Sequence, residues 1–395
     1  MSDLLNPPPV PRPTDPRPPD PRQVAVDAHA TGDLAAAIAA QQSHLSQQAA
    51  APPDDHLFLA LLHFQQGNLP ASLAVIEEAL RLHPDCPQLH ENRGVLLLAT
   101  GDNGAAMHAS LRALECGSQS PNTHDCLADA ASRLGRMDLS VQYGRAALEA
   151  KDRMFAAYPV LATLPATAPP PFNPHNRAEN VISYCLWGTS DRYFAPLAEN
   201  LKLLDHLFPA WTIRVHLDAS VPAAFRAELQ SRGAQVVEYE LPPGMPGHRR
   251  LLWRFTVLGD PTVRRYLIRD ADSLLTVKER VAVDAWLASG YHFHTMRDYY
   301  THTDLLLAGM WGGVGGILPN VDTLFTHRRR WRTEGDHVDQ DLLSETVWPS
   351  IRENCLIHDS IFTGCLGSVP FPPFGNLPPN QHIGQNAGQL FVRNA

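Results

Sequence analysis

Asp270-Ala271-Asp272 ends the apolar run Tyr266-Leu267-Ile268 that leads through Arg269. Two carboxylates two residues apart, just past a strand end, can share one hard cation. Mg²⁺ and Mn²⁺ prefer oxygen ligands and leave positions open for substrate phosphates. A bare Asp-x-Asp also suits a solvated turn; its place directly after a buried strand favours the metal. A second pair, in Asp339-Gln340-Asp341, opens a helical segment. Carboxylates there serve as caps and complement the helix dipole. They equally serve as a base or as stabilisers of a transition state, and both readings stand.

Other groups fall where a ligand could use them. Trp187-Gly188 and Asp191-Arg192-Tyr193 follow an apolar run and could stack on and hydrogen-bond a base, although aromatic residues are often packed for their area alone. Arg297-Asp298 follows another strand, either facing a ligand pocket or forming an internal ion pair. Arg328, Arg329, Arg330 and Arg332 surround Trp331, as a solvated face or as a contact for phosphate.

The elements that position these residues alternate. Val181–Trp187, Trp211–Leu217, Gln235–Leu241, Arg264–Ile268 and Tyr291–Met296 read as strands. Helices are expected near Ala195–Leu207, Pro222–Arg232 and Val277–Ala288. The fold class expected from about residue 179 to 395 is therefore α/β with a mostly parallel sheet, where ligands bind beyond the carboxyl ends of the strands.

The first part of the chain has a different period. Residues 1–23 are proline-dominated and read as a solvated tail. From residue 24 to about 158 the pattern is helical. Gly67, Gly101 and Gly135 recur every 34 residues, as do Ala60, Gly94 and Ala128, and Ala79, Ala113 and Ala147. A weaker copy starts at Ala25 and Gly32. The small residue lets one helix approach the next, and the glycine ends the first helix in the left-handed region. This pattern resembles the tetratricopeptide repeat. Residues 159–178, with Pro165, Pro169, Pro170, Pro171 and Pro174, read as a linker.

The α/β segment resembles metal-dependent glycosyltransferases of the GT-A fold, a nucleotide-diphospho-sugar transferase class, and most nearly the glycogenin and galactosyltransferase type. The resemblance rests on the opening strand and loop Ser183–Tyr193, on Trp253-Arg254-Phe255, on Asp270-Ala271-Asp272, on Asp339-Gln340-Asp341, and on the glycine-rich Leu307–Gly316. It implies a nucleotide-sugar donor, a UDP-sugar by analogy. Trp187, Gly188, Asp191, Arg192, Tyr193, Arg254, Arg269 and Asp270 would lie about that donor. Gly309 and Gly312 would floor the donor sugar as a loop. Asp339 and Asp341 would act in the reaction. Asp270 and Asp272 would hold Mn²⁺ or Mg²⁺. The type also uses a late histidine as metal ligand, and this sequence offers His382-Ile383-Gly384, with His358-Asp359 as rival. The type's Lys-Pro-Trp is missing.

Composition bounds the alternatives. A net charge of −9 over 395 residues offers no general attraction to polyanions, against a nucleic-acid binder. Six scattered cysteines without a C-x-x-C pair suit reduced thiols and a cytoplasmic location. No signal peptide or membrane span is read, and no phosphate-binding Gly-rich Lys-Ser/Thr loop is present. The chain thus reads as a sugar transferase whose repeats recruit a protein or glycan acceptor, or alternatively as an adaptor with a catalytically weak domain.

Overall fold

The computed structural model describes residues 20–48, 50–329, 337–375 and 381–387. Most of the proline-dominated tail, and Arg330, Trp331 and Arg332 of the basic run, lie outside the described residues. The chain divides into two compact units, residues 1–119 and 120–395.

The first unit holds three antiparallel helix pairs: α1 (Pro21–Ala30) with α2 (Leu34–Ser46), α3 (Pro53–Gln65) with α4 (Leu69–Leu82), and α5 (Pro87–Thr100) with α6 (Asn103–Glu115). Helix α1 starts inside the proline segment because Pro21 occupies its first turn, where the missing N–H costs nothing. Gly67 and Gly101 sit at φ +80° and +86° after α3 and α5, in the conformation their spacing predicts. Ala79 and Ala113 are fully buried. Ser72 of α4 donates to the Ala60 carbonyl at 2.7 Å, tying the helices at the small-residue contact.

The second unit begins with a fourth pair, α7 (Pro121–Arg133) and α8 (Met137–Phe155), which keeps the repeat's features. Gly135 has φ +72°, and Ser140 donates to the Ala128 carbonyl at 2.8 Å. Yet this pair is built into the α/β body. Leu148 and Phe155 share a core with Phe255, Trp311 and Trp348. A side chain at Gly144 would meet the Phe362 ring at 2.3 Å. The boundary expected at residues 158/159 thus falls after α8, whereas the compact unit starts before α7. The expected linker is itself tied down: the Leu161 and Ala162 N–H groups both donate to Ser350 Oγ.

Seven strands follow: β1 (Asn180–Leu186), β2 (Thr212–Leu217), β3 (Gln235–Glu238), β4 (Arg265–Arg269), β5 (Phe293–Arg297), β6 (Met310–Val314) and β7 (Cys355–Asp359). Their order is β3-β2-β1-β4-β6-β5-β7. Strands β3, β2, β1 and β4 are parallel, β6 is antiparallel to β4 and β5, and β7 is parallel to β5. One face of the sheet packs on α9 (Asp191–Leu207), α10 (Ala223–Ser231) and α11 (Val277–Leu287) through Leu197, Leu229 and Trp286.

Strand β6 corrects the reading of Leu307–Gly316 as a loop. A Cβ at Gly312 would lie 2.5 Å from the Tyr266 carbonyl oxygen, and one at Gly313 2.4 Å from the Tyr266 hydroxyl. The glycines admit neighbouring strands and side chains to the middle of a sheet; glycine richness imitates a loop signal.

Candidate functional site

Strand β4 ends at Arg269, and Asp270 and Asp272 follow at its carboxyl end. Arg269 does not face a ligand. It is buried, pairs with Glu279 of α11, and donates to the Trp311 carbonyl at 3.0 Å. The rest of the site gathers around Arg254, in the 3₁₀ segment Gly247–Gly259. Its Nη1 donates to Asp270 Oδ1 and its Nη2 to Asp339 Oδ2 at 2.5 Å. Burial alone would depress this guanidinium, but Asp270 and Asp339 outweigh it and keep its pKa above the ordinary arginine value. Burial pushes the Asp339 carboxyl up; Arg254 opposes this and Asp270 adds to it.

Two lobes of a cleft meet at this cluster. The larger, about 620 Å³, is lined by Trp187, Tyr193, His248, Asp270, Ala271 and Asp272, among others. The smaller, about 280 Å³, is lined by His302, Gly309, His337, Asp339 and Gln340. Leu251, Arg254, Asp270 and Gly384 line both. Cys185 also borders the larger lobe, but burial pushes its thiol up to about 12, so it keeps its proton and is no nucleophile.

Asp270 and Asp272 suit a divalent cation as a donor set. Burial pushes the Asp272 carboxyl above its usual range; Arg192, at 2.7 Å, draws it back, and the charge of Asp270 raises it further. Two adjacent carboxylates, Asp270 beside Arg254 and Asp272 beside the exposed Arg192, offer the oxygen donors that a hard cation takes together with water and substrate oxygens. Among the described residues, no three or more His, Cys, Asp or Glu side chains cluster to hold a metal. His382 and His358 are each engaged elsewhere. His382 donates from Nδ1 to the Ile383 carbonyl at 2.9 Å and stacks on Tyr299. His358, on β7, is buried and hydrogen-bonded to His294 at 2.8 Å.

The tetratricopeptide repeat family matches residues 59–121. The N-terminal region carries tetratricopeptide repeats. No curated protein matches the sequence. Among solved structures, MamA is 15% identical with a TM-score of 0.32, over 34% of this chain and 78% of that one. MamA from Desulfovibrio magneticus is 12% identical with a TM-score of 0.31, over 33% and 73%. An O-GlcNAc transferase mutant from Thermobaculum terrenum is 20% identical with a TM-score of 0.33, over 59% of this chain and 42% of that one. At these scores the likenesses carry no argument about the α/β body. Among the described residues no helix is long and apolar enough to cross a membrane.

The remaining candidates divide. Tyr193 and Trp187 line the cleft, and Arg192 reaches Asp272; Asp191, Arg192 and Tyr193 form the first turn of α9, which starts four residues earlier than the sequence pattern predicts. Gly188, at φ +75°, donates its N–H to Ser220 Oγ at 2.7 Å, a turn that shapes the loop. Gly312 lies inside β6 and serves strand packing. Helix α12 (Val338–Leu342) puts Asp339 on the cleft but not Asp341, which is 1% exposed and 3.8 Å from Arg328. Gln340 Oε1 accepts from the Ala308 N–H at 3.0 Å, and its amide nitrogen donates to the Leu306 carbonyl, so it fixes the backbone ahead of Gly309. Arg297 pairs with Asp359 and Asp298 with Lys278, both internally. The sequence reading missed His302, Leu251 and Gly384; one histidine among 19 carries no signal until its neighbours are known.

Proposed function

We propose that this chain is a divalent-metal-dependent glycosyltransferase that moves a sugar from a UDP-sugar to an acceptor hydroxyl. The observation that carries this reading is the junction of Asp270, Arg254 and Asp339. Asp270 and Asp339, which lie 16 and 85 residues along the chain from Arg254, meet on its buried guanidinium, where the two lobes join beyond β4. The resemblance to GT-A enzymes of the glycogenin and galactosyltransferase type assigns the same residues to one reaction centre.

In this reading the larger lobe takes the nucleoside diphosphate, with Tyr193 and Trp187 against the base. Mn²⁺ or Mg²⁺ held by Asp270 and Asp272 would supply positive charge to the departing diphosphate. Arg254 orients Asp270 and Asp339 and screens their mutual repulsion. The bond between the sugar's anomeric carbon and the phosphate oxygen breaks, and its electrons stay on the diphosphate. The acceptor oxygen bonds to that carbon, and its proton passes to a base at the reaction centre. Asp339, whose carboxyl is raised by burial, is placed to be that base or to stabilise developing positive charge on the sugar. The tetratricopeptide repeats recruit the protein or glycan acceptor.

One observation favours the adaptor reading. Arg254 and Arg192 between them already pair with Asp270, Asp339 and Asp272, so each carboxylate has a protein counter-charge within reach. Nucleoside diphosphate release from UDP-glucose, UDP-galactose and UDP-N-acetylglucosamine, with and without Mn²⁺, separates the two. Mn²⁺-dependent release supports the transferase; none from any donor leaves the adaptor.

A further inference from the structure

His302 lies in the loop between β5 and β6 and lines the smaller lobe with Asp339 and Arg254. The backbone N–H of Asp298 donates to its Nδ1 at 3.0 Å. A ring nitrogen that accepts carries no proton, so the proton of the neutral imidazole resides on Nε2. Burial, His382 and Arg297 together push the pKa of His302 down to about 3, which keeps the ring neutral. The side chain therefore offers the lobe an N–H donor in place of a base.

The loop that carries it is held at both ends. Asp298 is fixed by Lys278 at Oδ1 and by the Ile383 N–H at Oδ2, 3.0 Å away. On the other side, Lys151 of α8, only 4% exposed, donates to the Thr303 carbonyl at 3.1 Å and pairs with Asp304 at 2.7 Å. A donor pinned this way needs no reorganisation to bind. Asp339, in the same lobe, offers an acceptor. A donor and an acceptor lining one small lobe match a hydroxyl-bearing ligand. Phosphates belong instead beside Asp270 and Asp272.

We propose that His302 is a specificity-determining residue that donates its Nε2–H to an oxygen of the sugar held beside Asp339. The assignment rests on the transferase reading above. It is tested with His302→Phe, which keeps a ring without the donor, and His302→Gln, which returns an N–H near the Nε2 position. The readouts are kcat and KM for the UDP-hexose that the wild type turns over best, inhibition by UDP, and the ring tautomer from ¹⁵N NMR of the full chain at neutral pH.

The expected result is a roughly tenfold loss of kcat/KM in His302→Phe, the size of one neutral hydrogen bond. His302→Gln recovers most of it, UDP inhibition is unchanged in both, and the NMR shows the Nε2–H tautomer. A wild type that turns over a UDP-hexose while His302→Phe matches it overturns this assignment alone. So does a proton found on Nδ1, whatever the activity. If His302→Phe fails to fold, His302→Gln decides: a folded glutamine variant no better than a folded His302→Ala overturns the donor role. A wild type that releases no UDP from any donor overturns the transferase reading and this assignment with it.

Discussion

Gly309 faces Asp270 so closely that a Cβ at residue 309 would sit 1.9 Å from the Asp270 Oδ2 atom. The carboxylate occupies the space where every other residue keeps its side chain. Gly309→Ala must therefore push Asp270 out of place while touching little else. The expected outcome is loss of the Mn²⁺ response with only a modest change in melting temperature. If Asp270 and Asp272 hold Mn²⁺, free Mn²⁺ at a hundred times its Kd is expected to raise the wild type's unfolding free energy by about 2.7 kcal/mol. Gly309→Ala and Asp270→Asn should both lose that increment in a thermal scan with and without the metal. An undiminished shift in either variant rules out Asp270 as a ligand.

The two aspartates of α12 should behave differently. Asp339 lines the cleft and bonds Arg254; Asp341 is buried beside Arg328. Asp339→Asn is expected to lower turnover about a hundredfold or more while UDP binding stays near wild type. Asp341→Asn is expected to keep turnover and to cost stability, roughly 3 kcal/mol for a charge removed from a buried pair. Equal turnover in both variants would mean that the motif is structural throughout.

Truncation tests where the α/β body begins. A fragment starting at Ser120 retains α8, and one starting at Asn180 removes it. The second loses the packing of Leu148 and Phe155, each worth about 1.5–3 kcal/mol of burial, and leaves Asp304 without Lys151. The shorter fragment should unfold without a cooperative transition or precipitate; the longer one should melt sharply. Cooperative melting of both by circular dichroism would show α8 to be dispensable.

Acid stability follows from His216 on β2. Burial, aided by the Arg214 charge, lowers its pKa to about 3, whereas the unfolded chain has the ordinary value of 6.5. Above pH 6.5 the ring is neutral in both states and contributes nothing. Below it, the unfolded chain takes a proton that the folded chain refuses, so stability falls from about pH 6.5 down to about pH 3. The slope approaches 1.4 kcal/mol per pH unit for this one group. His216→Gln should flatten the curve by that amount in urea titrations between pH 6 and 4; an unchanged slope would show that His216 protonates normally in the fold.

The repeats were legible because their signal is periodic and local. A glycine every 34 residues reports a left-handed cap wherever it occurs, and Gly67, Gly101 and Gly135 all adopt one. Strands β1 to β5 were legible from their apolar runs, and Asp270 from its place after one; β7, parallel to β5, was not, because its apolar run is only Cys355–Ile357 before His358 and Asp359. Strand β6 was not, because Gly312 and Gly313 are selected by the bulk of Tyr266 and Leu267 on the neighbouring strand. The division of labour between Asp339 and Asp341 was also hidden, since it depends on which side of a short helix faces the cleft. Arg254 could be nominated by resemblance, but its double pairing could not be seen, because its partners lie 16 and 85 residues away.

Helix α8 also sets an order of events on the ribosome. The six helices of the first unit have their partners within residues 1–119 and can settle as they emerge. Helix α8 cannot. Its lysine at 151 waits for Asp304, and its glycine at 144 waits for Phe362, the ring that fills the gap. At about 5–20 residues per second, that wait lasts roughly 10–40 s. Throughout it, a helix whose buried face is already made has nothing to cover it but nascent chain, chaperone or a neighbouring polysome. The segment most exposed to misassembly during synthesis is therefore the one that ends the repeats and begins the α/β body.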